Sequence, residues 1–400
     1  MKLRAGCFVS LFCVAAAITA SAQVLTTLHS FCSQQFCFDG AAPFGGLVQG
    51  ADGNFYGSTA VGGDSREGAI FKISSGGTLT TLHSFDSFDG EMPRGGLLQG
   101  IDGSFYGTTW WGGGGPYCTN RGGCGTLFKI DPEGTLTTLY NFCSQPDCSD
   151  GLLPGNGLVQ DSAGNLYGTT IGGGSHGTIF KITPNGTLTT MRDFQGSDGW
   201  YPYGALMLAH DGNFYGTTMF GGTGSGVIFQ MTSNGTLTVM HSFSGGVDGG
   251  NPYAGLTQGS DDNFYGTTVE GGAYGQGTVF QMTIAGTMAT LYSFCSCTNC
   301  ADGAAPRAGL IQANDGNLYG GTSAGGTGTS CHGGCGTVFK ITTSGALITL
   351  HNFHGTDGEA PWGALVQGID GTLYGTTTSL GANGNGGTIF RLLVRPTPGQ

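Results

Sequence analysis

Seven prolines, Pro43, Pro93, Pro154, Pro202, Pro252, Pro306 and Pro361, each follow an Asp-Gly-x-x step, and the residues after them are Phe44, Arg94, Gly155, Tyr203, Tyr253, Arg307 and Trp362. Trp200, Tyr201, Glu91 and Glu359 lie beside this set, and Trp110-Trp111 add bulk in another loop. Aromatic faces stack on sugar rings or peptide side chains, and arginine donates paired hydrogen bonds to carboxylates. The chemistry this suits is recognition of an acidic glycan or a protein segment. The candidate binding residues are Phe44, Arg94, Tyr203, Tyr253, Arg307, Trp362, Trp200, Glu91 and Glu359. The competing expectation is that the same side chains plug a channel or cover the loops.

Catalysis at one point requires residues that break the chain's tandem repeat. Glu91, Glu270 and Glu359 do so, as do His176, His210, His332 and His354. Sequence brings no acid–base pair of them together, and glycoside hydrolysis needs two carboxyls at a set separation across one pocket. A serine elbow, a Walker loop and a dinucleotide fingerprint are all missing. No catalytic residue and no cofactor is therefore assigned. His29, His83, His241 and His351 share one repeat position with Tyr140, Arg192 and Tyr292, which argues against a metal cluster. Asp39, Asp89, Asp150, Asp198, Asp248, Asp302 and Asp357 predict Asx-type turns before glycine rather than calcium ligands, and no metal is expected.

Cysteines recur at fixed spacings as Cys32/Cys37, Cys143/Cys148 and Cys295/Cys300, and as Cys118/Cys124 and Cys331/Cys335. In an exported chain such pairs read as local disulfides, and their spacings do not match zinc sites. Cys297 is the outlier, since the equivalent positions are not cysteine, and is expected to be left over.

The elements that carry these residues derive from one stretch, Asn54-Phe55-Tyr56-Gly57-Ser58-Thr59, which returns with tyrosines at Tyr106, Tyr167, Tyr215, Tyr265, Tyr319 and Tyr374. The second copy reads as four strands: GGLLQG (95–100), SFYGTT (104–109), GTLFKI (125–130) and TLTTLYNF (135–142), separated by Gly-containing turns and one long loop. Units of this length with four strands predict an all-β, seven-bladed β-propeller of antiparallel blades. The last copy lacks its fourth strand, whereas VLTTLHSF (24–31) stands alone before the first, so the N-terminal strand is expected to complete the last blade and close the ring. Repeated Tyr and Phe positions read as packing between blades. The prolines set the start of each innermost strand, so the residues after them should face the mouth of the central channel.

The pattern DGxLYGTTxxGG, followed by GTxFK and GTLTTLxxF, resembles the GloVer-type tandem repeat of "choice-of-anchor" exported bacterial proteins. The resemblance implies an exported propeller, often held at the surface by a variable C-terminal anchor. RLLVRPTPGQ is neither a hydrophobic anchor nor a recognisable sorting domain, which favours free secretion or attachment through a partner.

Lys2 and Arg4 precede an apolar run and Ala20-Ser21-Ala22, the pattern of a cleaved signal peptide over residues 1–22. A single propeller is expected over 23–395 and a short tail over 396–400. Abundant glycine and few charges fit many short strands. Removing Lys2 and Arg4 takes the formal charge from −12 to −14, and such a surface repels phosphate backbones. The expected partner is thus an extracellular polysaccharide or surface protein, not nucleic acid, with no stable membrane insertion after cleavage. Three functions fit in decreasing order: a non-catalytic binding module that is secreted, periplasmic or on the cell surface; a surface structural or adhesion protein; and a glycan-active hydrolase or lyase.

Overall fold

The computed structural model describes residues 23–119 and 122–394; the leader expected over 1–22 and the tail expected over 396–400 lie outside the described residues. Seven four-stranded antiparallel sheets form a ring. In the second blade the strands, A to D from the axis outwards, are Leu98–Gln99, Phe105–Thr109, Thr126–Ile130 and Leu136–Asn141. The strand Leu25–Ser30 pairs with Thr388–Leu392, Leu25 opposite Leu392 and Ser30 opposite Thr388, and so becomes strand D of the seventh blade. Across that seam the contacts match those within the chain. The Ile369 amide donates to the Gln49 side chain at 2.9 Å, and the Phe55 and Tyr374 rings lie 4.0 Å apart.

The core repeats as faithfully as the sequence does. The strand-D phenylalanine of each blade meets the strand-C phenylalanine of the next: Phe85 and Phe128 at 5.2 Å, Phe142 and Phe180 at 5.1 Å, Phe353 and Phe390 at 5.4 Å. The strand-B tyrosines are buried, and their hydroxyls emerge to donate to an aspartate in the A–B turn, as in Tyr215–Asp211 at 2.9 Å and Tyr319–Asp315 at 2.8 Å. One interaction therefore joins the core of each blade to its turn face.

Strand D holds a feature that alternation alone does not reveal. Its pairing with strand C skips one residue in every blade, for example Leu82 between Thr81 and His83, and Leu139 between Thr138 and Tyr140. The skipped Leu or Met packs into the interface with the adjoining blade. A β-bulge adds one residue and re-aims the side chains beyond it. That explains why Leu-Thr-Thr-Leu-His-Ser does not alternate strictly. It also explains the shared position of histidine, tyrosine and arginine just past the bulge. Each bonds to the aspartate of the adjacent D–A loop: His83–Asp89 at 2.7 Å, Tyr140–Asp150 at 2.8 Å, Arg192 Nε–Asp198 at 2.9 Å, Tyr292–Asp302 at 2.8 Å. Loop amides complete the aspartate's partners, as Ser144 N does for Asp150 at 2.8 Å. These aspartates are loop clasps with two kinds of donor, more than the Asx turns expected.

The five expected disulfides, Cys32–Cys37, Cys118–Cys124, Cys143–Cys148, Cys295–Cys300 and Cys331–Cys335, are all formed. Cys297 departs from expectation: it too is disulfide-bonded, so it is not a leftover thiol.

Candidate ligand-binding site at the channel mouth

The D–A and B–C loops share one face, tied by bridges such as Glu91 to Trp111 and Trp200 to Phe220. On it, the residue before each site proline is held in the left-handed region: Ala42, Met92, Leu153, Tyr201, Asn251, Ala305 and Ala360 have φ between 50° and 58°. That conformation is costly for a side chain with a Cβ and persists only where the surroundings enforce it. They do so here: the Met92 amide donates to Glu67 O of the preceding blade at 2.8 Å, and its carbonyl accepts from Trp110 N at 3.2 Å. A kink pinned between two blades, followed by proline, turns the next side chain towards the axis. The innermost strands then converge so closely that a Cβ on Gly45 would lie 2.7 Å from Gly95 O, which accounts for the small residues after the ring position.

The resulting side chains form a closed collar. Arg94 stacks on Phe44 at 4.8 Å and on Trp110 at 3.9 Å. Trp110 lies 6.5 Å from Tyr203, which stacks on Tyr253 at 4.7 Å with planes 20° apart. Arg307 lies over Tyr253 at 5.4 Å and over Trp362 at 4.6 Å, and Trp362 returns to Phe44 at 5.2 Å. Six of the nine candidate residues therefore come together around a cavity of about 390 Å³. Trp200, Glu91 and Glu359 do not line it and sit in the next layer outwards.

Trp110 is the member that sequence reasoning did not place. In the third blade the collar position is Gly155, and the indole from the second blade's B–C loop occupies the vacated space: a Cβ on Gly155 would fall 1.8 Å from Trp110 Nε1. The glycine among six large side chains was the available signal. Asn156 is a second polar exception, its amide donating to Pro202 O at 2.7 Å.

The electrostatics of the collar are one-sided. Among the described residues neither Arg94 nor Arg307 has a carboxylate partner, and Arg94 Nε and Trp362 Nε1 are buried without a hydrogen-bond acceptor. Burial lowers the Arg94 guanidinium below its ordinary value and raises the Tyr203 and Tyr253 hydroxyls above theirs. A guanidinium packed against two aromatic rings keeps edge N–H groups for a planar anion.

Outside the collar, burial and then the neighbouring Glu67 carboxylate raise the Glu91 carboxyl above its ordinary value. Glu67, from the first blade's B–C loop, accepts from Ser87 Oγ at 2.8 Å. His351, His354 and Asp357 bring three possible metal ligands within 4.8 Å, but His351 is already hydrogen-bonded to Asp357 at 2.8 Å, the clasp seen in the other blades.

Among solved structures, a 6-phosphogluconolactonase candidate from Bacteroides uniformis is similar at 16% identity, covering 88% of this chain and 99% of its own, with a TM-score of 0.52. A gluconolactonase from Xanthomonas campestris is similar at 12% identity over 93% of this chain and 90% of its own, TM-score 0.47. These likenesses concern the fold alone. No curated protein sequence matches the chain. The family profile of the Gloeobacter/Verrucomicrobia repeat matches residues 14–160, 119–330 and 295–397, so the tandem unit that builds the blades and presents the collar places this chain in that repeat family.

Proposed function

We propose that the protein is an exported binding propeller that takes an anionic ligand, an acidic glycan or a carboxylate-bearing protein segment, into the collar at the channel mouth. One observation carries this reading: two arginines stacked in an aromatic ring with no carboxylate beside them among the described residues. Desolvating a guanidinium without a counter-charge is unfavourable, and a bound carboxylate offsets it. The cavity volume falls within the range of ordinary small-molecule sites, roughly 300–1,000 Å³. Five local disulfides support an extracytoplasmic location. An array of acidic and neutral glycans and acidic peptides tests the reading. Binding should favour anionic probes, weaken with salt, and fall by about 1.5–3 kcal/mol in Arg94→Ala or Arg307→Ala. Equal binding of neutral and anionic probes would overturn it.

Glu91 favours a second reading, that of a glycan-active hydrolase. A carboxyl raised by burial and a second carboxylate, beside the Trp111 backbone, has the character of a general acid. Release of reducing ends from an acidic polysaccharide, abolished in Glu91→Gln, would support this reading over pure binding.

A further inference from the structure

The aromatic surface does not stop at the collar. Tyr201 lies 6.3 Å from Tyr203, Trp200 lies 4.9 Å from Tyr201, and Phe220 lies 6.1 Å from Trp200. His176, from the third blade's B–C loop, meets Trp200 edge-on at 5.2 Å, and its Nδ1 is buried without a hydrogen-bond partner. The rings thus make a track from the axis outwards over the fourth blade, and Trp200 keeps 40% of its surface exposed.

Among the described residues no other blade has such a track. The position of Trp200 is Ala41, Glu91, Leu152, Gly250, Ala304 or Glu359 in the other six. The bridge layer around the collar carries Glu91, Glu270 and Glu359 on the second, fifth and seventh blades, whereas the first, third, fourth and sixth pair Ala41 with Val61, Leu152 with Gly172, Trp200 with Phe220 and Ala304 with Ala324. An anionic chain leaving the arginines therefore meets carboxylates in three directions and an uncharged bridge layer over the first, third, fourth and sixth blades. Of these four, the fourth alone carries rings in the bridge layer itself, joined to the collar through Tyr201, on which sugar faces stack.

Resting on the collar reading, we infer that the ligand is a linear uronate-containing polysaccharide. One uronate lies at the Arg94/Arg307 collar and the adjoining sugars run outwards over Tyr201 and Trp200. Affinity must then depend on chain length, and the two ends of the site must fail separately.

Calorimetric titration with oligogalacturonates and oligoalginates of one to six residues tests this on the full chain. Wild-type affinity should rise by roughly tenfold between the shortest binding oligomer and the longer ones, the scale of one or two stacking contacts. Trp200→Ala should remove that rise and leave the shortest oligomer unchanged, whereas Trp200→Phe should retain part of it. Arg307→Ala should weaken every length. A length dependence that survives Trp200→Ala while Arg307→Ala still weakens binding overturns the track and spares the collar. Failure of every oligouronate to bind overturns both. Equal length-dependent binding of oligoglutamate, lost in Trp200→Ala, makes the occupant a peptide and overturns the glycan assignment.

Discussion

The two faces of the ring invest the same repeat differently. On the A–B turn face, tyrosine donates to aspartate in all seven blades, at 2.7 to 3.0 Å, without one substitution. On the opposite face, the residue after each proline is phenylalanine, arginine, glycine, tyrosine or tryptophan on an equally constant backbone. A uniform interaction repeated around a pseudo-symmetric ring serves the scaffold, because each blade touches only its neighbours and needs the same contact each time. Variation on that scaffold produces one asymmetric site.

The sharpest way to break this contrast is to open the ring. Deleting residues 24–31 removes strand D of the seventh blade and Phe31 from its contact with Phe71 at 5.3 Å. The deletion leaves an exposed sheet edge and an unpaired blade interface, so cooperative melting should be lost or the protein should aggregate. An unchanged melting curve would show that the closure contributes nothing to stability.

The next largest effect separates the two aromatic sets. Tyr215 is fully buried against Phe264 at 4.2 Å, and Tyr215→Ala should destabilise by about 3–5 kcal/mol in denaturant titration. Tyr203→Ala, on the half-buried collar, should cost well under half of that while weakening ligand binding. Comparable destabilisation by both would mean that the collar is scaffold after all. Tyr215→Phe keeps the ring and removes only the hydroxyl's two bonds, the one it donates to Asp211 and the one it accepts from Gln230 Nε2, for which about 1–2 kcal/mol is expected.

These features are not equally legible in the sequence. Blade number, ring closure, the local disulfides and the axial direction of the post-proline residues all depend on the order and spacing within one unit, which the repeat displays directly. The bulge at Leu82 and its counterparts is not legible, because it is a register between strands C and D, and the Leu or Met it skips reads like any other apolar strand residue. His83, Tyr140 and Arg192 read in sequence as unrelated substitutions, whereas in space all three clasp one kind of acceptor, a loop aspartate. Trp110 in the Gly155 space and Glu67 beside Glu91 both join residues of different blades, and a unit read alone cannot show what its neighbour inserts.

The smallest effect expected is one of pH, and it distinguishes the faces by their titratable groups. For Asp315, burial raises the carboxyl, but hydrogen bonds from Lys340, Tyr319 and Asn317 outweigh it and bring it down to about 2. Asp52, Asp102, Asp161, Asp211 and Asp261 are lowered in the same balance, burial opposing the bonds from their turns and tyrosines. A carboxyl whose folded value lies below its unfolded one contributes stability above the unfolded value, near 4, and loses that contribution as pH falls through the folded value. Acid should therefore destabilise the propeller progressively from about pH 4 downwards, and Asp315→Asn should flatten part of that slope. Among the described residues the collar contains no carboxylate, and burial moves the Tyr203 and Tyr253 hydroxyls further above neutrality. Affinity for a fully ionised uronate should consequently stay level between about pH 5 and 9, while stability alone responds below that window. Titrations at both ends of the window, paired with melting curves, check this directly. A marked change in affinity within it would place a titrating group in the binding path, with Glu91, whose carboxyl is raised by burial and by Glu67, the first to substitute.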